Sequence, residues 1–405
     1  MQPKKIQLRR TLSFSQVVLY GLGTTIGAGV YALLGEIADV AGVGAPLSFL
    51  AAAGLALLTA YSFARMVSRY PRAAGAALYV QNGFNSEKLA LITGLLVVFA
   101  GTVSSAALLN GLIGYAQDLI NLDRWLLLIL AAAGIGIVAS WGISQSAWVA
   151  GLITLVEAGG LIWATALASS AVLRSGHVSV DLWADVSFES TTVILSGAVL
   201  AFYAFIGFED MIEIAEEVKD VRSTLPKAIM ATLGLSALLY FMLVTSAVLA
   251  VGPQFLARSD APLADLVAHL SSVNPVVMSI IGIFAIINGA LIQLIMSARV
   301  LYGLAVRGQI PSLFASLNPS TQTPMVTTAL CVVGIVALAI SGTIDQLARS
   351  TSLIILIVFT MVNLASVRDE SRQGKPQRSA QLIGLTGAGI CTTLAGIALL
   401  DLLTR

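Results

Sequence analysis

Long apolar runs, separated by short polar stretches, account for most of the chain. Eleven runs are candidate membrane-spanning helices, because a helix needs about 20 mostly apolar residues to cross the hydrocarbon core of a bilayer. These runs cover residues 14–35, 45–66, 89–120, 125–143, 147–173, 191–212, 228–251, 275–304, 326–341, 347–367 and 382–403. The third and eighth are longer than a bilayer requires, and the ninth is short. The pattern predicts an all-α polytopic membrane protein with about 11 transmembrane helices.

Composition supports this class of protein. The 405 residues are 57% hydrophobic and 11% charged, whereas soluble domains carry about 25% charged residues. The first apolar run is too long for a secretory signal peptide, and no small-residue cleavage site follows it. Cys331 and Cys391 both lie in apolar runs, so we interpret them as small core residues rather than a disulfide.

The distribution of basic residues predicts the orientation of the chain, because Lys and Arg are enriched in cytoplasmic loops. With a cytoplasmic N-terminus, 17 of the 22 Lys and Arg residues fall on the cytoplasmic side. Eleven spans then place the C-terminus outside. Both histidines, His177 and His269, fall in outer loops, so no histidine is available for a metal site within the membrane.

Residues 21–31, with the sequence GLGTTIGAGVY, interrupt the first apolar run with four glycines. Glycine lets the backbone leave helical geometry, and unwound backbone within a membrane survives only where it lines a cavity. We therefore predict a broken helix in which the N–H groups of Gly27, Ala28 and Gly29 receive an anion and the preceding carbonyls receive a cation. The alternative is close packing of small residues between continuous helices.

A second interruption is predicted in the sixth run, within residues 200–210. Gly207 is followed closely by Glu209 and Asp210, and acidic residues favour the first turn of a helix. This pattern predicts a break near residues 204–207 and a new half-helix beginning around Glu209. Alternatively, the two acids mark the cytoplasmic end of an unbroken span.

The two halves of the chain correspond to each other. The broken first and sixth runs, like the long third and eighth runs, lie five segments apart, which is typical of inverted-repeat transporters. We predict a cytoplasmic N-terminal segment at residues 1–13, a first repeat at 14–173 with helices 1–5, and a second repeat at 191–367 with helices 6–10. Residues 382–405 form an additional C-terminal helix. The substrate site then lies near the membrane midplane, between the first and sixth helices.

Five stretches together resemble the amino acid–polyamine–organocation (APC) superfamily. They are GTTIGAGVY at 23–31, RYPRAAGAALY at 69–79, FYAFIGFE at 202–209, EEVKDVRSTLPKA at 216–228 and SARVLYGLA at 297–305. Val221 departs from the pattern, because the family usually has proline there. The stretches extend in register over about three quarters of the chain.

The resemblance implies the five-plus-five inverted-repeat fold of the leucine-transporter type, with broken first and sixth helices and alternating access. It implies an amino acid substrate whose carboxylate meets the N–H groups of Gly27, Ala28 and Gly29. The substrate ammonium would meet carbonyls at residues 23–26 and 202–205. The family usually has twelve helices, and we expect the last to be absent here, so the resemblance does not predict the C-terminal topology or an oligomeric interface.

The predicted substrate-binding residues come from the two breaks. They are Thr24, Thr25, Ile26, Gly27, Ala28, Gly29, Phe202, Ala204, Phe205 and Ile206. The apolar wall of Phe202, Phe205 and Ile206 favours a neutral substrate. Further polar candidates on other segments are interpreted mainly as helix–helix hydrogen bonds; these are Ser104, Ser105, Asn110, Asn288, Gln293, Thr351 and Asn363.

Glu157 is the only acidic residue deep in a predicted span. A charge at that depth is costly, so such a residue is a functional candidate. In the resemblance, its position matches a site where several proton-coupled relatives carry lysine. Three roles are open: a carboxyl group that takes up and releases a proton, a carboxylate that helps to bind sodium, or a structural hydrogen bond. We favour proton coupling.

The sequence therefore predicts a secondary active transporter that takes up a neutral amino acid with protons, in a cell membrane and, we expect, a bacterial inner membrane. Alternatives are an amino acid exchanger, a sodium-coupled symporter, or a substrate sensor that does not transport. We predict no enzymatic activity and no cofactor beyond the coupling ion, proton or sodium. Expected partners are the amino acid and the lipid bilayer, with no nucleic acid, and the oligomeric state stays open.

Overall fold

A computed structural model describes residues 10, 12–26, 29–71, 75–117, 119–141, 147–175, 188–321, 323–373 and 376–404. The described residues are almost entirely helical and contain no β-strand. The α-helices are α1 Phe14–Ile26, α2 Gly29–Ala41, α3 Ala45–Arg69, α4 Gly75–Phe84, α5 Glu87–Gln117, α6 Arg124–Ser140, α7 Ala147–Ser175, α8 Phe188–Tyr203, α9 Val221–Val251, α10 Pro253–Ala257, α11 Pro262–Leu270, α12 Val276–Val306, α13 Met325–Ser341, α14 Ile344–Ser371 and α15 Arg378–Thr404. Short 3₁₀ helices cover Gly42–Gly44, Phe208–Glu217 and Ser312–Ala315.

These helices confirm the all-α polytopic class of fold. Within the described residues, eight helical stretches are long and apolar enough to cross a membrane, and α6 and α13 are shorter apolar helices. One of the eight stretches, Gly29–Arg69, contains both α2 and α3. When α1 and α2 are counted as one span, each of the eleven predicted segments has its helix, and the short helices α4, α10 and α11 lie between predicted segments. Both cysteines are buried and free, as predicted.

The sixth span is interrupted as the sequence predicts, whereas the break predicted in the first span stays a prediction. Helix α1 ends at Ile26 and α2 begins at Gly29, and the residues of the predicted break, Gly27 and Ala28, lie outside the described residues. Helix α8 ends at Tyr203, and Gly207 has a φ of +116°, a backbone conformation that glycine adopts readily. The second half of the sixth span differs in one detail from the prediction: it begins at Phe208 and is a 3₁₀ helix.

Helix packing shows the correspondence between the two halves. Helix α1 of the first span packs on α9 of the seventh, and α8 of the sixth packs on α3 of the second. Likewise α7 of the fifth span packs on α1, and α14 of the tenth packs on α8. The long helices α5 and α12 pack against each other. Exchanging each helix with the one five spans away preserves these contacts, as an inverted repeat requires; the exact repeat boundaries stay a prediction.

The backbone just before α1 is attached to the backbone that follows the 3₁₀ helix Phe208–Glu217. The N–H of Leu12 donates to the carbonyl of Glu217, and the N–H of Lys219 donates to the carbonyl of Leu12, each at 3.0 Å. The beginning of the first span and the end of the sixth therefore lie on the same side of the helix bundle. This agrees with the predicted topology, which places both on one side of the membrane.

Glycine allows the closest contact of α4 with the tenth span. A Cβ added at Gly83 would lie 2.5 Å from the Cβ and 2.6 Å from the Cα of Ala365 on α14. Backbone atoms cannot move aside as a flexible side chain can. By contrast, a Cβ added at Gly54 on α3 would meet nothing within 4 Å.

We predict that Gly83→Ala destabilises the protein by about 1–3 kcal/mol, the usual cost of overpacking a well-packed interior. The matched Gly54→Ala variant should be neutral or stabilising by up to about 1 kcal/mol, because alanine favours the helix over glycine. Thermal unfolding of both purified variants in the same detergent measures the difference. Equal unfolding temperatures would contradict the close contact.

Candidate functional site

The interruption of the sixth span faces the first span within the helix bundle. Gly29, the first residue of α2, lies so close to Ala204 that an added Cβ would overlap the Cα of Ala204. Gly207, in the turn after α8, lies equally close to the carbonyl of Thr24 near the end of α1. The structure therefore brings together the predicted site residues Thr24, Gly29 and Ala204, which come from both breaks.

A tyrosine on the seventh span joins the two breaks. The hydroxyl of Tyr240, on α9, lies 2.8 Å from the carbonyl oxygen of Thr25 and 3.1 Å from that of Ala204. Carbonyls at a helix end lack a partner within the helix, so an external donor is needed when they are buried. Tyr240 is fully buried. Sequence reasoning missed it, because one tyrosine in an apolar helix gives no local signal of its partners.

The other predicted residues of the site divide into two groups. Phe202 and Phe205 are fully buried in edge-to-face contacts, Phe202 with Phe359 and Phe205 with Phe49 and Tyr240. Their predicted contact with substrate stays a prediction.

Ile206 instead lines a cavity. Thr25 and Ile26 are buried, and the hydroxyl of Thr24 donates to the carbonyl of Gly21 at 3.0 Å. The proposed anion-binding N–H groups of Gly27 and Ala28 lie outside the described residues.

The cavity is acidic and extends from the second break. Ile206 lies in its wall together with three carboxylates of the 3₁₀ helix Phe208–Glu217, those of Glu209, Asp210 and Glu213. The remaining walls come mainly from α5, α12 and α14. The sequence identified Glu209 and Asp210 only as acids suited to a helix start, because their exposure to a cavity depends on the neighbouring helices.

Two of the cavity carboxylates, those of Glu209 and Asp210, have few polar partners in the described structure. Glu209 accepts a hydrogen bond from the N–H of Gly207 at 2.9 Å, and Asp210, which is 7% exposed, accepts a long one from Gln293 at 3.4 Å. Among the described residues, neither carboxylate forms an ion pair. The hydroxyl of Ser297, in the same cavity, is buried without a partner in the described structure. These groups can therefore bind a polar, positively charged ligand.

Glu157 lies on α7, where this helix packs against both halves of the first span. Its backbone carbonyl accepts a hydrogen bond of 2.7 Å from the hydroxyl of Tyr31 on α2, and Thr154, one turn earlier, packs against Gly23 of α1. The Glu157 side chain is 1% exposed, and its Oε1 accepts a hydrogen bond from Asn288 Nδ2 at 3.3 Å. Glu157 Oε2 and Asn288 Oδ1 are buried without partners in the described structure.

Most of the other polar candidates form contacts between helices, as the sequence interpretation favours. Ser104 bonds to the hydroxyl of Tyr203, Ser105 to the carbonyl of Ala290, Asn110 to the carbonyls of Ala339 and Gly342, and Asn363 to Thr59. Thr351 bonds within its own helix and also lines the acidic cavity. The remaining two, Asn288 and Gln293, contact the carboxylates of Glu157 and Asp210.

A sixth span whose break packs against the first span, at the centre of a two-fold repeated bundle, is typical of a membrane transporter. The family model "Amino acid permease" matches residues 12–402, so the chain belongs to this family, and the predicted resemblance is confirmed. An uncharacterized transporter of Mycobacterium tuberculosis is 30% identical over 405 residues, which cover 98% of this chain and 88% of the relative.

Two eukaryotic relatives carry more specific names. The mitochondrial cationic amino acid transporter 3 of Arabidopsis thaliana is 28% identical over 382 residues, 89% of this chain. Cationic amino acid transporter 4 of Mus musculus is 29% identical over 396 residues, 92% of this chain. The chain spans only 62% of the plant relative's length and 61% of the mouse relative's length.

We predict that Gly29→Ala abolishes substrate binding while the protein still inserts into the membrane. The added methyl group would overlap the backbone at Ala204, so the two breaks cannot keep their contact. Gly159→Ala is the matched control, because a Cβ at this glycine of α7 would meet nothing within 4 Å. Binding of labelled amino acids to both purified variants gives the comparison. Normal binding by Gly29→Ala would show that the contact of the breaks does not form the site.

Proposed function

We propose that the chain is a secondary active amino acid transporter that works by alternating access. The contact between the first span and the break of the sixth span is the observation that carries this proposal, because backbone groups of both repeats meet there. The acidic cavity supports it, since it leads to one side of this contact. We further propose a cell-membrane location with the N-terminus in the cytoplasm, on the basis of the Lys and Arg distribution.

We propose a proton as the coupling ion, bound by Glu157. Ionised Glu157 has only acceptor oxygens, so its Oε2 and the Oδ1 of Asn288 cannot be partners for each other. A proton on Oε2 would supply the missing donor. The acid and the amide could then form a pair of hydrogen bonds, and both unpartnered atoms would be satisfied together. Protonation thus changes how α7 is bonded to α12.

Sodium is the second candidate, because the same two oxygens could act as ligands for a cation. Sodium would need further oxygens, and among the described residues no group of three or more His, Cys, Asp or Glu side chains could hold a metal ion. Carbonyls of the broken first helix could still contribute. Uptake measured with and without sodium separates this candidate from proton coupling.

For the substrate, we propose a cationic amino acid. The names of the plant and mouse relatives support this class. So do the carboxylates of Glu209 and Asp210, which line the cavity beside Ile206 without ion-pair partners in the described structure. A buried carboxylate without a counter-charge is costly, and a cationic side chain would supply that charge. The prediction of a neutral substrate rests on the apolar wall alone and does not include these two carboxylates.

We predict that Glu157→Gln keeps substrate binding and exchange but loses accumulation driven by a pH gradient. Glutamine cannot release a proton, and its amide can donate to Asn288 as a protonated glutamate would. Counterflow and gradient-driven uptake are measured in the same proteoliposomes, with Glu87→Gln, an exposed carboxylate of α5, as the control. Full gradient-driven uptake by Glu157→Gln would exclude the proton role.

We predict that Asp210→Asn raises the half-saturation concentration for L-lysine about tenfold, since a hydrogen bond to a charged group contributes about 1.5–3 kcal/mol. The value for L-alanine, tested as a competitor, should change less than twofold. Glu216→Gln, an exposed residue of the same 3₁₀ helix that does not line the cavity, should leave both values unchanged. Wild-type protein that prefers alanine to lysine would favour the neutral substrate instead.

A further inference from the structure

A buried arginine lies near the beginning of the tenth span. Arg349, on α14, is 1% exposed, and its Nε donates to both carboxylate oxygens of Asp345, one turn earlier, at 2.9 and 3.1 Å. Its Nη1 donates to Asp401 of α15 at 2.6 Å and to the hydroxyl of Ser196 on α8 at 3.2 Å. The Ser196 hydroxyl also donates to Asp401 at 2.5 Å. A guanidinium is well suited to bind several acceptors in this way.

This cluster of Arg349, Asp345, Asp401 and Ser196 joins three helices. Helix α8 is the half-helix that leads into the second break, and α14 is the tenth span. Helix α15 is the eleventh span and lies outside the two predicted repeats, yet it supplies the carboxylate that links Arg349 to Ser196. The eleventh helix is thus bonded to the part of the molecule that forms the site.

The cluster lies beyond one end of the acidic cavity. Thr351 is the cavity-lining residue nearest to the beginning of α14, and Arg349 precedes it by two residues. The other cavity-lining residues of α14, from Ile355 to Phe359, are farther from the cluster along the helix. The cavity therefore extends away from the cluster along α14, while the cluster bonds α8 to α14.

We propose that Arg349 and Asp401 are positioning residues for transport, and that their ion pair keeps α8 against α14 while the site is open toward the acidic cavity. Opening on the other side would separate α8 from α14 and break the contacts of Arg349 with Ser196 and Asp401. The contact with Asp345 would remain, because Asp345 is on the same helix. The guanidinium would thus keep one carboxylate in both states, which reduces the cost of leaving it unpaired.

One further observation fits a contact that forms and breaks. The second terminal nitrogen of Arg349, Nη2, is buried without a hydrogen-bond partner in the described structure. The guanidinium therefore does not use all of its hydrogen-bond donors in the contact between the helices. Fewer hydrogen bonds are lost when α8 moves away.

The two carboxylates provide a matched pair of variants. Asp345 and Asp401 contact the same guanidinium and are similarly exposed, at 18% and 21%, but only Asp401 joins two helices. Asp401→Asn should weaken the attachment of α8 and α15, whereas Asp345→Asn should leave it intact. If the two carboxylates contributed only to general packing, Asp401→Asn and Asp345→Asn would have the same effect.

The readout is the reactivity of a cysteine beneath the cluster. Ser352 is fully buried on α14, and its hydroxyl has no partner in the described structure. Because it lies three residues after Arg349, the two side chains are neighbours on the same face of the helix. Ser352→Cys is introduced into the full chain, in which the native Cys331 and Cys391 are both buried. A membrane-impermeant methanethiosulfonate then labels the reconstituted protein, with the chain lacking Ser352→Cys as background.

We expect Asp401→Asn to raise the labelling rate of Cys at position 352 about tenfold and Asp345→Asn to change it less than twofold. Ser196→Ala, which removes the hydroxyl of α8, should also raise the rate, and it decides the question if Asp401→Asn does not fold. Equal rates for all variants, or equal increases for both aspartates, would overturn the proposal. The proposal for Arg349 and Asp401 rests on the proposed alternating-access cycle. The labelling experiment needs no substrate, so failure to transport lysine would refute only the proposed substrate.

Discussion

The need of unwound backbone for hydrogen-bond partners is the constraint on which this structure depends. In hydrocarbon no water is available, so a helix can be interrupted only where protein groups take over its free N–H and C=O groups. Here the interruption of the sixth span lies against the first span, with Gly29 at Ala204 and Gly207 at the carbonyl of Thr24. Tyr240 then satisfies carbonyls from both. The first and sixth spans must therefore be neighbours, and the other helices are arranged around them.

The buried charged and acidic side chains differ in what neutralises them, and this difference separates structure from ligand binding. Arg349 has two carboxylates from the protein itself. Glu157 has only the amide of Asn288, which leaves room for a proton. Glu209 and Asp210 have no ion-pair partner in the described structure and face a cavity. The charge of Arg349 would thus be neutralised by the protein, that of Glu157 by the coupling proton, and those of Glu209 and Asp210 by the substrate.

The eleventh helix takes on a role that its position in the sequence does not suggest. It follows the two predicted repeats, but Asp401 bonds to Arg349 and, through Ser196, to the half-helix before the second break. On the opposite face of the bundle, Arg65 and Arg69 of α3 pair with Asp369 and Glu370 at the end of α14. The tenth span is therefore held by ion pairs near both of its ends.

The sequence by itself determined the spans, the break of the sixth span and the correspondence of helices five spans apart, because hydropathy and the backbone freedom of glycine act within one segment. It also singled out Glu157, since one carboxyl group in an apolar run is visible locally. Only the tertiary structure decided which groups these residues meet. Asn288 is 131 residues from Glu157, and Tyr240 is 215 residues from Thr25. Whether Glu209 and Asp210 cap a helix or line a cavity likewise depends on which helix faces meet, and that is set by packing between distant segments.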